Sequence, residues 1–590
     1  MTKSFFWTSA IALFAVLTVP VAPAVQTGQQ DSAKADNTRP WKFSVGSNLV
    51  IVPVIVTDKN GEHVPGLKAE DFEVKEEGAS QKIVGLDVVA SDSEKVAKAA
   101  PAANRFSNTV VQRPKRLVII ALDQINTPFE SAKDSHRALI DFLSKGADDS
   151  TLIALVALRH NGIRIIHDFS GDPGVLVAAV QKVKAVISSR DSRGLDALGD
   201  NSQADLEALQ LTAILNGANV STGASPAELL AAAKQASSYQ RAQMDASRLA
   251  QDALITLEDF QQLAQYFWGV PGRKSLIWAS AGFPFATGAG AQANTRGTTP
   301  DDWQRTFRML TDANISVYPV DVSGLLPGVN ANNLQSLNTA SVKAGGAEGG
   351  VGARSQMLAR IDSGEFVDPT AGRHDTMRQI ADMTGGQPFY NSNDVSGLFR
   401  QARVDSGQYY LLAYYTKADG KQGWRKLNVK VRHDNVRVRA RSGFYFHDPV
   451  NEAEPARQAD ERMALASDLD FSAMPLSGTW GKVEAVGSNR KVHFVLTIPA
   501  GVPFVDNEHQ NHINFDFRAL ARDSSGKIVA NLGERMETNL PADGLVQVQT
   551  NGLDYANALT LAPGEYKVRF VVRDNLKGSL GSVTSSLKVE

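Results

Sequence analysis

Between residues 116 and 416 one unit keeps returning: a short, uninterrupted apolar run, then a segment whose apolar residues recur every three or four positions. "RLVIIALD" (116–123) is the first such run. A strand without polar alternation must be covered on both faces, which a parallel sheet between two helix layers achieves. "SAKDSHRALIDFLSKG" (131–146) follows, with Ala138, Leu139, Phe142 and Leu143 on one helical face. "TLIALVALRHNGIRIIHDFS" (151–170) predicts two strands joined at Asn161-Gly162, and "PGVLVAAVQKVKAV" (173–186) a helix opened by Pro173. From about Pro226 to Trp268 the spacing of Leu254, Leu257, Phe260, Leu263 and Phe267 predicts a long helix. "GRKSLIWASAGFPF" (272–285) is a second buried strand ending in a tight turn, and "WQRTFRMLTDANISVYPVDVSGL" (303–325) reads as helix then strand. Gly385-Gly386 stops a further helix, and another helix precedes the aromatic strand "QYYLLAYY" (408–415). The fold class expected is α/β: a doubly wound, mostly parallel sheet flanked by N-terminal and C-terminal β-sandwich-like domains.

The flanks have strand period. Val50, Val52, Val54 and Val56 alternate, "DKNG" (58–61) predicts a turn with positive φ at Asn60-Gly61, and Gly78 predicts another turn between two strands. This gives a small β-sandwich-like module over 42–90, then a linker over 91–113 that is poor in large apolar residues. The α/β domain is placed at 114–446, with a helical insertion at 188–268 and a mobile, Gly-, Ala- and Ser-rich insertion at 327–373. An antiparallel strand extension covers 409–446 and a charged linker 447–470; residues 471–590 read as strand and turn throughout, a second β-sandwich.

The first 24 residues carry Lys3, an apolar run to Val21 and Ala22-Pro23-Ala24, the pattern of a secretory signal peptide cleaved after Ala24. Residues 25–41 are polar and read as a disordered lead-in. No later segment is long and apolar enough to span a bilayer. With no Cys, disulfides, thiolate metal sites and Cys nucleophiles are excluded. Sixty-one Lys and Arg against 63 Asp and Glu leave a net charge of −2, which gives no footprint for nucleic acid. The expected location is periplasmic or extracellular.

"DQINTP" (123–128), where the first apolar run breaks, is the candidate site. An acid at the end of a buried strand beside hydroxyl residues is the raw material of a divalent cation site. The same Asp also suits the capping of the next helix or the pinning of a loop. The order of "DQINTP", "GRKSLIWASAGFP", "ANISVYPVDVSG", "ADMTGGQPF" with "NDVSGLF", and "YYLLAYY" with "RARSGFYF" resembles a von Willebrand factor type A (VWFA) domain. Within that family it is similar to the exported acidobacterial-type branch, whose upstream segment resembles "VTDKNGEHVPGLKAEDFEVKEEGASQKI". The resemblance spans roughly residues 45–446.

It implies a metal-ion-dependent adhesion site: Asp-x-Ser-x-Ser after the first strand, a loop Thr, and an Asp after the fourth strand. Asp123 matches the first position and Thr127 the last hydroxyl, while Ile125 stands where the middle oxygen is expected. Asn126 offers an amide oxygen, Ala281 stands in for the second Asp, and the loop Thr has no definite counterpart, Thr222 or Ser221 being a guess. A degenerate site follows: Asp123, Asn126 and Thr127 as weak ligands of Mg2+ or Ca2+, and Asp123, Asn126, Thr127, Ser280 and Gly282 as the binding set. On this reading Asp123→Asn costs about 1 kcal/mol, as for a lost cap.

The function expected is non-enzymatic adhesion: a partner protein or cell-envelope component engaged at the carboxyl ends of the strands. The alternatives are a secreted hydrolase using the Ser280 turn, which demands a His opposite that serine, and a structural component of envelope assembly. "WASAGF" (278–283) has Trp278 where a hydrolase elbow needs Gly. His509 and His512 with Asp506 and Glu508 lack a third ligand pattern, and the faces of 409–415 suit core packing better than a sugar or peptide platform.

Overall fold

The computed structural model describes residues 49–89, 104–109, 117–146, 151–190, 226–270, 272–283, 300–324, 371–405, 407–416, 421–447, 449, 452–500 and 511–590. The expected signal peptide (1–24), the lead-in, Ser221, Thr222 and nearly all of the insertion at 327–373 lie outside these residues. The fold is mixed α/β, with one mixed sheet and several antiparallel ones.

The mixed sheet has five strands: β6 (Leu117–Asp123), β7 (Leu152–Leu158), β8 (Arg164–Ser170), β9 (Lys274–Ser280) and β10 (Ile315–Asp321). Their spatial order is β10-β9-β6-β7-β8. Four run parallel, and β8 closes the edge antiparallel to β7 through the turn at Gly162, whose φ is +93°. Every residue of β6, β9 and β10 is buried, as the unbroken apolar runs require. One face packs Val118, Ile120 and Leu122 against α1 (Phe129–Gly146), α2 (Pro173–Arg190) and a helix at Val395–Asp405. The other face packs Leu117, Ile119 and Ala121 against α3 (Pro226–Phe267), α4 (Pro300–Asp312) and α5 (Ala371–Thr384). The Val395–Asp405 helix is α6. At the end of α5, Gly386 passes so near β10 that a Cβ would stand 1.9 Å from the Val317 carbonyl oxygen.

The N-terminal strands do not form a module of their own. β1 (Leu49–Thr57) pairs with β11 (Tyr409–Tyr415) and β13 (Arg437–Ala440), and β11 pairs with β4 (Ile83–Val89). β2 (Phe72–Glu76) lies between β3 (Ala79–Gln81) and β12 (Gly423–Val431), which also pairs with β14 (Gly443–Phe446). The two sheets enclose Val52, Val54, Phe72, Tyr410, Leu412 and Tyr414. The segments expected as 42–90 and 409–446 are therefore halves of one sandwich. Local periodicity finds the strands, but pairing across more than 300 residues is decided by which apolar faces remain uncovered. Of Asn60-Gly61, only Gly61 takes a positive φ (+89°), because Asp58 ties the turn through the Asn60 and Glu62 N–H groups.

The C-terminal body holds two four-stranded sheets, in the orders β19-β16-β15-β5 and β18-β17-β20-β21. Its strands are β15 (Ser477–Val486), β16 (Asn489–Ile498), β17 (His512–Asp523), β18 (Ile528–Asn539), β19 (Leu553–Leu561), β20 (Gly564–Asp574) and β21 (Leu580–Val589). The eighth, β5 (Arg105–Ser107), comes from the stretch expected as a linker, and Phe106 stacks on Phe570 in this core. Between the bodies, the stretch 447–470 contains a helix, α7 (Glu454–Ala466), that buries Ala464 in the main core and carries Glu461 to Arg518 (2.8 Å). The tail also holds a helix, α8 (Ala542–Asn551), where only strand and turn are expected. Among the described residues no helix is long and apolar enough to cross a membrane.

Candidate functional site

β6 is the strand at which the order reverses: the chain runs outward to β7 and β8, then returns to β9 and β10 on the other side. Asp123 ends β6 and Ser280 ends β9, so the two stand side by side at the switch point. Open α/β sheets place ligand sites in this crevice.

Asp123 is 3% exposed and accepts five hydrogen bonds. Oδ1 takes the backbone N–H groups of Ile125 and Asn126, both at 2.9 Å. Oδ2 takes Asn126 Nδ2 (2.8 Å), Trp278 Nε1 (3.1 Å) and Ser280 Oγ (2.7 Å). Burial pushes its carboxyl above the usual carboxylate range, and the bonds from Asn126, Ser280 and Ile125 pull the other way. The four N–H groups can only donate, so the ionised form is the one this surrounding suits.

The loops after β6, β9 and β10 are tied to one another. Thr127 Oγ1 accepts the Ala281 N–H (3.2 Å), and the Ala281 carbonyl accepts Arg373 Nη1 (2.9 Å). Gly282 is held against the first loop; a Cβ there would stand 2.5 Å from the Asn126 carbonyl oxygen. At the end of β10, Asp321 accepts the Ser323 N–H (2.9 Å) and pairs with Arg373 Nε (3.3 Å), with His374 Nε2 at 3.6 Å.

Beneath the loops lies a polar stripe on α3. Asp252, Thr256 and Asp259 fall at i, i+4 and i+7, one face of the helix. Thr256 Oγ1 meets Asn126 Nδ2 at 2.9 Å, and Asp252 meets His160 Nε2 at 2.9 Å. Asp259 is 1% exposed, and its Oδ2 has no hydrogen-bond partner. Burial pushes this carboxyl up to about 8; the Arg159 backbone N–H opposes the rise and the Asp123 charge adds to it. The sequence reading misses these three residues, although they share the three-and-four spacing of the apolar stripe beside them.

A hard divalent ion needs oxygen lone pairs turned toward one point. Here both Asp123 oxygens are turned toward N–H and O–H groups, and Thr127 Oγ1 toward the Ala281 N–H. Ile125 and Ala281, each 8% exposed, are packed in the cores and supply no side-chain oxygen. Among the described residues no group of three His, Asp or Glu side chains is arranged to hold a metal. The donor set therefore does not fit a tightly held cation.

Ser280 is fully buried, and its hydroxyl lies between Asp123 Oδ2 and the Gly282 carbonyl (2.6 Å). A hydroxyl bonded to a carboxylate in a closed turn is not presented to a substrate. The aromatic run is mostly inside: Tyr409, Tyr410 and Tyr414 are buried, the Tyr410 hydroxyl donates to the Val64 carbonyl (2.7 Å), and Tyr415 at the end of β11 is exposed. His512 meets Asn539 Oδ1 (2.9 Å), while Asp506, Glu508 and His509 lie outside the described residues.

No family model and no curated protein matches this chain. Among solved structures, a β-glucuronidase from Bacteroides uniformis aligns at 9% identity over 31% of this chain and 19% of its own, with a TM-score of 0.14. The pilus adhesin SpaC from Lactobacillus rhamnosus GG aligns at 7% identity over 90% of this chain and 60% of its own, with a TM-score of 0.22. At these scores neither likeness defines a fold or a function.

Proposed function

We propose that this is an exported VWFA-related binding protein whose carboxyl-end face engages a partner protein or cell-envelope component without catalysis. The observation that carries the reading is the tying of the 123–127 loop to the end of β9 around one buried carboxylate at the switch point of the sheet, with Arg373 bridging from Ala281 to Asp321 at the end of β10. Such cross-linking fixes the exposed backbone before a partner arrives, which lowers the ordering cost of binding. The four parallel strands with an antiparallel edge and helices on both faces support the family reading. Asp123 then serves as the internal post of the platform, and Mg2+ or Ca2+ binds there weakly at most. The buried Ser280 hydroxyl weighs against the hydrolase alternative.

Capture from the native envelope fraction with the purified chain tests the proposal. A partner retained by the wild type should be lost with Arg373→Glu and Thr127→Lys, and kept with Val546→Glu on the far C-terminal body. Equal capture by all of these chains places the contact elsewhere.

A further inference from the structure

A second surface lies away from the switch point. It is a groove of about 660 Å³ between α5 and the β12–β14 ladder. That volume is within the ~300–1,000 Å³ usual for small-ligand sites. One wall is aromatic. Trp424 and Tyr445 are cross-strand partners whose rings meet edge to face at 5.0 Å. The indole lies over Gly443, where a Cβ would come within 2.3 Å of Trp424 Cζ2. No other residue at 443 leaves room for the ring in that position. Trp424 is nonetheless 37% exposed, because its other side borders the groove.

The opposite wall is polar. Asp375, Arg378, Gln379 and Asp382 fall at i, i+3, i+4 and i+7 of α5, so four hydrogen-bonding side chains face the aromatic pair. Arg378 is held in place: its Nε donates to the Tyr390 hydroxyl (3.0 Å), it pairs with Asp375, and its guanidinium sits 5.4 Å from the Tyr390 ring centroid. Tyr390 in turn stacks on His374 at 4.1 Å. The Asp382 carboxylate and the Gln379 amide remain for a ligand.

The flat face of the Trp424 indole opposite a carboxylate and an amide matches one chemistry well. A pyranose ring presents C–H groups on one face and hydroxyls around its rim. We propose that this groove binds a neutral oligosaccharide, stacked on Trp424 and hydrogen-bonded by Gln379 and Asp382. Charge selects within the class. The one cation of the wall is engaged by Asp375, so Asp382 leaves the groove negative and unsuited to uronic acids.

Calorimetric titration of the full chain with cellotriose and with chitotriose is the test, with a galacturonate trimer and a proline-rich decapeptide as comparisons. At least one neutral trimer should bind with a Kd of ~0.1–1 mM. Trp424→Ala should weaken it by about tenfold, with Trp424→Phe between that variant and the wild type. Asp382→Asn, at an exposed helix position, should weaken it by roughly threefold with an unchanged melting temperature. Absence of heat from both neutral trimers at 10 mM overturns the proposal. So does binding that is indifferent to both Asp382→Asn and Trp424→Phe, or binding of the peptide or the galacturonate trimer in their place.

Discussion

The two ends of β9 bury charge in opposite ways. At the carboxyl end, the Ser280 hydroxyl and the Trp278 indole join three groups of the 123–126 loop around Asp123. At the amino end, Lys274 is 1% exposed and its Nζ meets the Val270 carbonyl (2.6 Å). Burial brings the Lys274 amine down to about 7. At the first group donors oppose the rise that burial imposes; the second, with one carbonyl partner, loses its charge near neutral pH. Asp259 resembles the lysine more than its neighbour Asp123, since one of its oxygens has no partner. What separates a structural post from a buried liability is the number of partners, not the depth of burial.

The largest effect expected is from Asp123→Ala. It removes the acceptor of the Ile125 and Asn126 backbone N–H groups and of the Trp278 indole N–H, and should cost about 4 kcal/mol in denaturant unfolding. Asp123→Asn sets an NH2 group against those donors, so the 1 kcal/mol expected from the sequence rises to about 2 kcal/mol. A loss below 1 kcal/mol for the alanine variant would remove the contrast between the two ends.

Lys274→Met tests the other side and should stabilise the chain by about 3 kcal/mol at pH 7. The sign follows from the lowered amine. Between about pH 7 and 10.5 the unfolded lysine holds a proton that the folded one has released, so wild-type stability rises with pH across that window. The gain from Met should shrink accordingly and vanish above pH 10.5. A gain that does not change with pH means that Lys274 is not the titrating group.

Asp259→Asn should give a smaller gain, about 2 kcal/mol at pH 9, because the amide brings N–H groups that themselves lack acceptors. Here the folded carboxyl holds a proton that the unfolded one loses above its ordinary 3.8, so wild-type stability falls as pH rises toward about 8. Urea midpoints at pH 4 and pH 9 measure the difference, which the variant should lack.

Much of this was legible in the chain. The uninterrupted runs at 116–123 and 274–280 are the buried parallel strands they suggest, and Leu257, Phe260, Leu263 and Phe267 form the buried stripe of α3. Asp123, Thr127, Ser280 and Gly282 do meet at one place. What could not be read is non-local. Trp278 looks like a core aromatic until its N–H is seen to point at Asp123, and Thr256 is one hydroxyl among many until α3 is laid across the sheet. The pairing of β1 with β11, and of β5 with β15, depends on exposed edges that no local pattern encodes. The indole over Gly443 likewise joins residues whose relation appears only once the strands are in register.

The central claim is that Asp123 is a hydrogen-bond acceptor at the heart of a loop platform and not the ligand of a tightly held cation. Calorimetric titration of the full chain with Mg2+, Ca2+ and Mn2+ tests it most directly. The account predicts no saturable heat below the millimolar range, with the weakness of a low-charge oxygen site, and the same melting temperature in EDTA as in Mg2+. Micromolar binding by the wild type that disappears in Asp123→Ala would contradict it.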